Sequence, residues 1–242
     1  MRRGVAITLI VFGAVVVGGA VIADSSARAF AENLIATGVK SSMPSEVSGD
    51  VNVSVGGFSF AQQYFSGRLD EVTISSSDLQ LSGVPVTASI VARGVPIDLA
   101  QPVEAVDATV TLSEASVNAI AAVPGSGALT LLDGSVGYTG TLDILGMSVN
   151  YTVRAAAAPA AGNVIMLTPQ EVTLSSGVGS LALPGALGGI KDTAVPICLA
   201  SYLPQDLSIS GVTVTEGSAA IVVSGRNIVL SPALLSTRGT CP

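Results

Sequence analysis

Residues 147–154 read MSVNYTVR, and the alternation within this stretch decides the fold class. Its apolar side chains occupy every second position: Met147, Val149, Tyr151 and Val153. Successive side chains of an extended strand point to opposite faces, so a period of two places all four on the same face. The stretch therefore predicts a β-strand with one buried and one exposed face, which is typical of antiparallel sheets.

The same period of two recurs elsewhere in the chain. Val51–Val55 and Val106–Leu112 alternate in this way. Toward the C-terminus, short apolar segments bounded by turn residues predict a hairpin of Asn163–Leu167 and Glu171–Ser175. We also expect a turn at Ala155–Gly162 and a loop at Gly177–Gly189. A short helix that carries Cys198 is expected within Ile190–Leu203.

Residues 24–40 have helical spacing instead. Apolar residues recur every three or four positions and form one face of an amphipathic helix: Ala27, Phe30, Ala31, Leu34 and Ile35. We expect Asp24 to be the N-cap of this helix, and we predict a second, short helix over Ser113–Ala122. One long helix with many alternating strands predicts the α+β class.

The N-terminus is typical of an exported protein. Arg2 and Arg3 precede an uncharged, apolar run, Gly4–Ala23. The run has about 20 residues, which is enough to span a bilayer as a helix. We expect residues 1–23 to be either a cleaved signal peptide or a retained membrane anchor, and residues 24–242 to form a single domain outside the plasma membrane.

The two cysteines, Cys198 and Cys241, lie near the C-terminus without CxxC spacing. In an exported protein this arrangement favours a structural disulfide, with two buried thiols as the alternative.

Composition excludes several classes of function. The chain contains no histidine, so Ser-His-Asp and Cys-His catalysis and metal sites that need imidazole are ruled out. The net charge is −7, which makes nucleic acid a poor partner. We expect a protein that is not an enzyme, with no catalytic residues, no metal and no cofactor. An envelope hydrolase remains as an alternative, because glycoside cleavage needs only two facing carboxylates.

Apolar residues on one side of many strands suggest a groove for an apolar ligand. Such a groove binds acyl chains because it removes apolar surface from water, which contributes about 0.8 kcal/mol of binding free energy per buried methylene. The alternative is that these residues pack only on one another.

Several motifs, in order along most of the chain, resemble the LmeA-like phospholipid-binding family of actinobacterial cell-envelope proteins. They include Asp24-Ser25-x-x-Arg28-x-x-Ala31-Glu32, Val51-x-Val53-x-x-x-Gly57-Phe58-x-Phe60, Leu112-Ser113-x-x-x-x-Asn118-x-Ile120 and Leu207-x-Ile209-x-x-Val212-x-Val214. The chain departs from the family pattern at Ser59, which stands where a proline is usual between the two aromatic residues.

The resemblance implies a strongly curved antiparallel sheet wrapped around the long N-terminal helix, as in tubular lipid-binding proteins. It also implies affinity for phospholipids such as phosphatidylinositol, and a part in making or moving envelope lipids and lipoglycans at the membrane. The candidate lipid-binding residues it implies are Phe30, Leu34, Ile35, Phe58, Phe60, Tyr64 and Phe65. If Phe58 and Phe60 lie on one strand face, they are alternatively core residues. The alternative function is a non-catalytic module that docks on an envelope partner protein.

Overall fold

The computed structural model describes residues 23–43, 45–120, 127–144, 147–176, 179–182, 194–230 and 237–241. Its helices are α1 (residues 23–42), α2 (Phe60–Ser66) and α3 (Glu114–Ile120), and a 3-10 helix spans Ala200–Tyr202. None of the helices in these ranges is both long enough and apolar enough to cross a bilayer. The predicted leader lies almost wholly in residues 1–22, outside the described part.

The first of two antiparallel sheets has seven strands. They are β1 (Val47–Ser48), β2 (Asn52–Val55), β3 (Arg68–Leu81), β4 (Val84–Pro96), β5 (Pro102–Ser113), β12 (Ser208–Thr215) and β13 (Ser218–Val229). The spatial order is β1-β3-β4-β5-β13-β12, and β2 also pairs with β3. Long strands of Val, Ile and Thr residues suit this pleated, half-buried environment.

The second sheet is formed by the middle of the chain. Its strands are β6 (Leu129–Leu132), β7 (Ser135–Ile144), β8 (Met147–Ala160), β9 (Val164–Ser176), β10 (Gly179–Ala182) and β11 (Val195–Cys198). The order is β10-β9-β8-β7-β6, and β11 also pairs with β9. The predicted α+β class, with a mostly antiparallel sheet and a long N-terminal helix, is therefore confirmed, and α3 lies within the short helix predicted over Ser113–Ala122.

Two apolar clusters hold these layers together. The first cluster contains Val55, Leu69, Val72, Val95 and Val103, and Ile35 of α1 packs against it. In the second cluster, Ile165 of the second sheet meets Ile209 and Val223 of the first sheet. The inner face of the first sheet is the face that carries Ala92, Val106 and Val223, so it contacts α1 in one part and the second sheet in another.

Three local predictions were wrong. Ala155–Ala160 does not turn but continues β8, and the predicted hairpin is one strand, β9, paired along β8. The predictions were wrong because the prolines were interpreted as turn residues. Pro169 instead pairs with Ala155 next to a register shift, and a strand tolerates proline at such an irregularity. Part of the predicted loop, Gly179–Ala182, is strand β10, and its other residues lie outside the described ranges.

Cys198 lies on strand β11 and not on a helix. A short apolar segment does not distinguish the two by periodicity, and pairing with β9 decides for the strand. The predicted disulfide between Cys198 and Cys241 is confirmed, with 5.9 Å between the Cα atoms and a sequence separation of 43.

Candidate functional site

Helix α1 has two apolar ridges, and only one of them packs on the sheet. Ile35 contacts the first cluster, and Ala31 is half-buried beside it. Phe30 is 66% exposed and Leu34 is 58% exposed. The predicted single apolar face is therefore divided. We call the exposed part, Ala27, Phe30 and Leu34, the outer ridge.

Polar residues of α1 dock the helix onto the segment between β2 and α2. The guanidinium of Arg28 donates hydrogen bonds to the carbonyls of Val55 (3.0 Å), Gly57 (3.1 Å) and Phe58 (3.3 Å). The carboxylate of Glu32 accepts one from the Val55 amide at 2.8 Å. These side chains fix the turn that carries Phe58 relative to α1.

Asp24 caps a helix, but not the one expected. Residue 23 is already helical, so Asp24 lies within α1. Its carboxylate accepts hydrogen bonds from the Ala61 amide (2.7 Å), the Phe60 amide (3.0 Å) and the Ser59 hydroxyl (2.9 Å). The backbone bonds from Ala61 and Phe60 are the main cause that lowers the pKa of Asp24 below its ordinary value of 3.8. The negative charge at the first turn of α2 also suits the helix dipole.

Helix α2 was missed by the sequence analysis, although a local signal marks it. Ser59 is its N-cap and Gln62 follows three positions later, which is the S-x-x-Q pattern of a capping box. The buried side chain of Gln63 holds the helix in place: its amide nitrogen donates to the Gly56 carbonyl at 2.9 Å, and its oxygen accepts from the Asp70 amide at 2.7 Å. Phe58 and Phe60 therefore do not share a strand face.

The structure separates the predicted aromatic residues into buried and exposed ones. Phe60 is half-buried and packs against the first cluster. Phe58 is 97% exposed, Phe65 is 86% exposed and Tyr64 is 53% exposed. The rings of Tyr64 and Phe65 meet edge to face, with 5.9 Å between their centroids.

Two further exposed apolar residues lie in the loop between β4 and β5. The Ile97 amide donates to the Gly67 carbonyl at 2.9 Å, so this loop contacts the C-terminal end of α2. Ile97 is 40% exposed and Leu99 is 53% exposed. The alternation of Ile97, Asp98 and Leu99 is typical of a strand. The sequence therefore did not indicate that these two apolar residues are exposed in a loop. We call Phe58, Tyr64, Phe65, Ile97 and Leu99 the aromatic tip.

The inner face of the first sheet also carries half-buried apolar residues next to the two clusters. Ile90 follows the same side of β4 as Ala92, and Val110 follows the same side of β5 as Val106 and Ala108. Ala92 and Val106 contact the first cluster, and Ala108 contacts the second. Ile90 and Val110 belong to neither cluster. Ile90 pairs with Ile74, which contacts the first cluster, and with Ala108. Val110 lies beyond Ala108 on the same face and pairs with Ile221, which contacts the second cluster. We call Ile90 and Val110 the apolar strip.

A polar cleft of about 550 Å³ lies on the opposite, outer face of the first sheet. Its charged lining residues are Arg68, Asp70, Arg93, Glu104, Asp107 and Arg226. Arg93 pairs with Asp107 at 2.9 Å and with Glu71 at 3.4 Å. The Ser224 hydroxyl and the guanidinium of Arg93 lower the pKa of Asp107. A general acid needs a raised pKa, so Asp107 is poorly suited to that role.

The comparisons with known proteins identify one family. The model of the LmeA-like phospholipid-binding family matches residues 22–224. The chain therefore belongs to this family, and phospholipid binding is the property that the family description gives. Neither a curated protein nor a solved structure matches the chain.

Proposed function

We propose that the protein binds phospholipid, with an acyl chain lying along the outer ridge of α1 and against the apolar strip of the first sheet. It acts by binding and not by catalysis. It works at the outer side of an actinobacterial plasma membrane, either anchored or secreted, and supports envelope lipid or lipoglycan assembly, with transfer of the bound lipid as the mechanism.

The observation that carries this proposal is the division of α1 into two apolar ridges. Phe30 and Leu34 are one helical turn apart, so their side chains form a continuous surface. This surface borders the ridge that packs on the sheet, where Ala31 and Ile35 lie. An acyl chain along the outer ridge removes apolar area from water without any rearrangement of the core.

A phosphatidylinositol headgroup is the candidate that the family resemblance supplies, and acyl-chain contacts with Phe30 and Leu34 carry no headgroup preference. The alternative function, docking on an envelope partner protein, is favoured by one observation: the apolar side chains are openly exposed, as in a binding patch.

The experiment is native mass spectrometry, with lipid extraction, of the full chain purified in mild detergent from an actinobacterial host. We expect about one phospholipid per chain, and loss of that lipid in the Leu34→Asp variant because a charge on the ridge must be desolvated. Ala29→Asp is the matched control: it adds the same charge to an exposed position of α1 away from the outer ridge.

A wild-type protein that is folded, lipid-free and unable to take up phospholipid from vesicles contradicts the proposal. That result makes the partner-docking function the leading one. Circular dichroism of each variant establishes that the fold persists.

A further inference from the structure

The aromatic tip places five exposed apolar side chains on α2, on the turn before it and on the β4–β5 loop that contacts it. Phe58 and Phe65 are almost fully exposed, and Tyr64, Ile97 and Leu99 extend the patch across the contact between α2 and the β4–β5 loop. Single exposed apolar residues are ordinary on a soluble protein, whereas a contiguous patch marks a binding surface.

This exposure is built into a rigid framework. The turn that carries Phe58 is held by Arg28 through three carbonyls and by Gln63 through the Gly56 carbonyl. Gly57 within it has a φ of +89°, and a Cβ there would collide with the Gln63 amide and the Asp70 carboxylate. The framework therefore presents Phe58 outward in the folded state.

The chemistry of the patch suits a lipid surface. Gly56–Gly67 contains no charged residue, although the chain has 10 basic and 17 acidic residues. Aromatic side chains are enriched at the interface between membrane and water, where an apolar body and a polar edge are both accommodated. Shallow binding by such a surface depends on buried apolar area, and electrostatic attraction adds to it only where basic residues are present.

The position of the N-terminal apolar run points to the same partner. The run ends at Ala23, and the next residue, Asp24, is hydrogen-bonded to the first turn of α2. About 20 apolar residues match the thickness of a bilayer. Whether the run anchors the chain or is removed at the membrane, the point where it ends is held beside the aromatic tip.

We infer that the aromatic tip inserts into the outer leaflet of a phospholipid bilayer and thereby places the outer ridge of α1 where lipid enters. The insertion is shallow, because Asp98 lies between Ile97 and Leu99 and its carboxylate is committed to the Ala100 amide at 3.1 Å. The second half of this inference rests on the proposed lipid binding, whereas contact between the tip and the bilayer stands apart from it.

The chain contains no tryptophan, so one substitution introduces a unique fluorophore. The experiment uses full-length Phe58→Trp and Phe65→Trp proteins with phosphatidylcholine vesicles whose acyl chains are brominated. Ile120→Trp is the control, at an exposed apolar position on α3. Helix α3 begins where β5 ends, and β5 extends roughly 36 Å from the β4–β5 loop at 3.3 Å per residue.

The expected result is several-fold stronger quenching of the Phe58→Trp and Phe65→Trp proteins than of the Ile120→Trp protein. Quenching should continue to increase when the vesicles supply many lipids per chain, because a bilayer is bound as a surface, whereas capture of a single lipid would saturate near one molecule per chain. It should also be unchanged between low and high salt, because no basic residue belongs to the patch.

Equal quenching of all three proteins overturns the inference, as does saturation at one lipid per chain. Native mass spectrometry of the same proteins keeps the two proposals apart. Bound phospholipid with an unquenched tip leaves lipid binding intact and assigns the tip to a protein partner. A quenched tip without bound phospholipid leaves membrane docking intact and removes the lipid-binding proposal.

Discussion

Helices α2 and α3 are built alike but present different surfaces. Each has seven residues, and each is preceded by a serine whose hydroxyl accepts a hydrogen bond from an amide of the first turn. Each also adjoins a long strand, β3 for α2 and β5 for α3. On α3 the outward residues are Ala115, Ala119 and the 49% exposed Ile120. On α2 they include Tyr64 and Phe65, with Phe58 directly before the helix.

The aromatic residues of α2 are therefore not needed to make such a helix. Both helices are held by an amide side chain that bonds to a neighbouring backbone. Gln63 joins α2 to Gly56 and Asp70, and Asn118 joins α3 to Leu129 through both its oxygen and its nitrogen. The attachment is similar, so the exposed rings reflect what α2 contacts and not how it folds.

The largest expected effects come from removing these amide side chains. Gln63→Ala and Asn118→Ala each leave a backbone donor and a backbone acceptor without their partners, which costs about 1–3 kcal/mol of unfolding free energy per variant. Chemical denaturation measures it. In vesicles, Gln63→Ala in the Phe58→Trp background should weaken quenching, whereas Asn118→Ala should not. Equal weakening by both would show that the tip does not depend on the α2 framework.

A smaller, pH-dependent effect is expected at Asp24. Its pKa is lowered in the folded state, so its contribution to stability is fully present above the ordinary value of 3.8 and is lost as the pH falls through the lowered pKa. Asp24→Asn removes the charge at every pH. The variant should therefore melt below the wild type at pH 7, and the difference should shrink in acid. A difference in melting temperature that persists unchanged at pH 2 would contradict this assignment.

The smallest effect on stability is expected at the tip itself. Phe65 is 86% exposed, so Phe65→Ser should change the unfolding free energy by no more than about 0.5 kcal/mol. Ile120→Ser, the matched change on α3, should be similarly mild. Vesicle contact should nevertheless decrease only for Phe65→Ser. A large loss of stability at Phe65 would mean that its ring supports the fold.

The sequence predicted what depends on local periodicity. The alternation at Val51–Val55 and the spacing of residues 24–40 identified strand β2 and helix α1, because each pattern reports its own geometry. It also predicted the disulfide, from the position of Cys198 and Cys241 in an exported chain.

What the sequence did not predict depends on partners far along the chain. β9 is continuous because β8 pairs with it, and Asp24 caps α2 across 36 residues. The predicted apolar face of α1 is divided for the same reason. The position of the sheet determines which ridge is packed and which is exposed. Ile35 and Leu34 are neighbours in sequence and equally apolar, so helical spacing alone did not separate them.

The division of α1 into a packed and an exposed ridge leads to one decisive experiment. It asks whether the phospholipid lies on the outer ridge while the aromatic tip contacts only the membrane. Native mass spectrometry of the full-length Leu34→Asp and Phe65→Asp proteins, loaded under identical conditions, measures it. The account predicts that Leu34→Asp loses its phospholipid and that Phe65→Asp, once exposed to lipid in detergent, retains about one molecule per chain. Loss from Phe65→Asp with retention by Leu34→Asp would contradict it and move the lipid site to the tip.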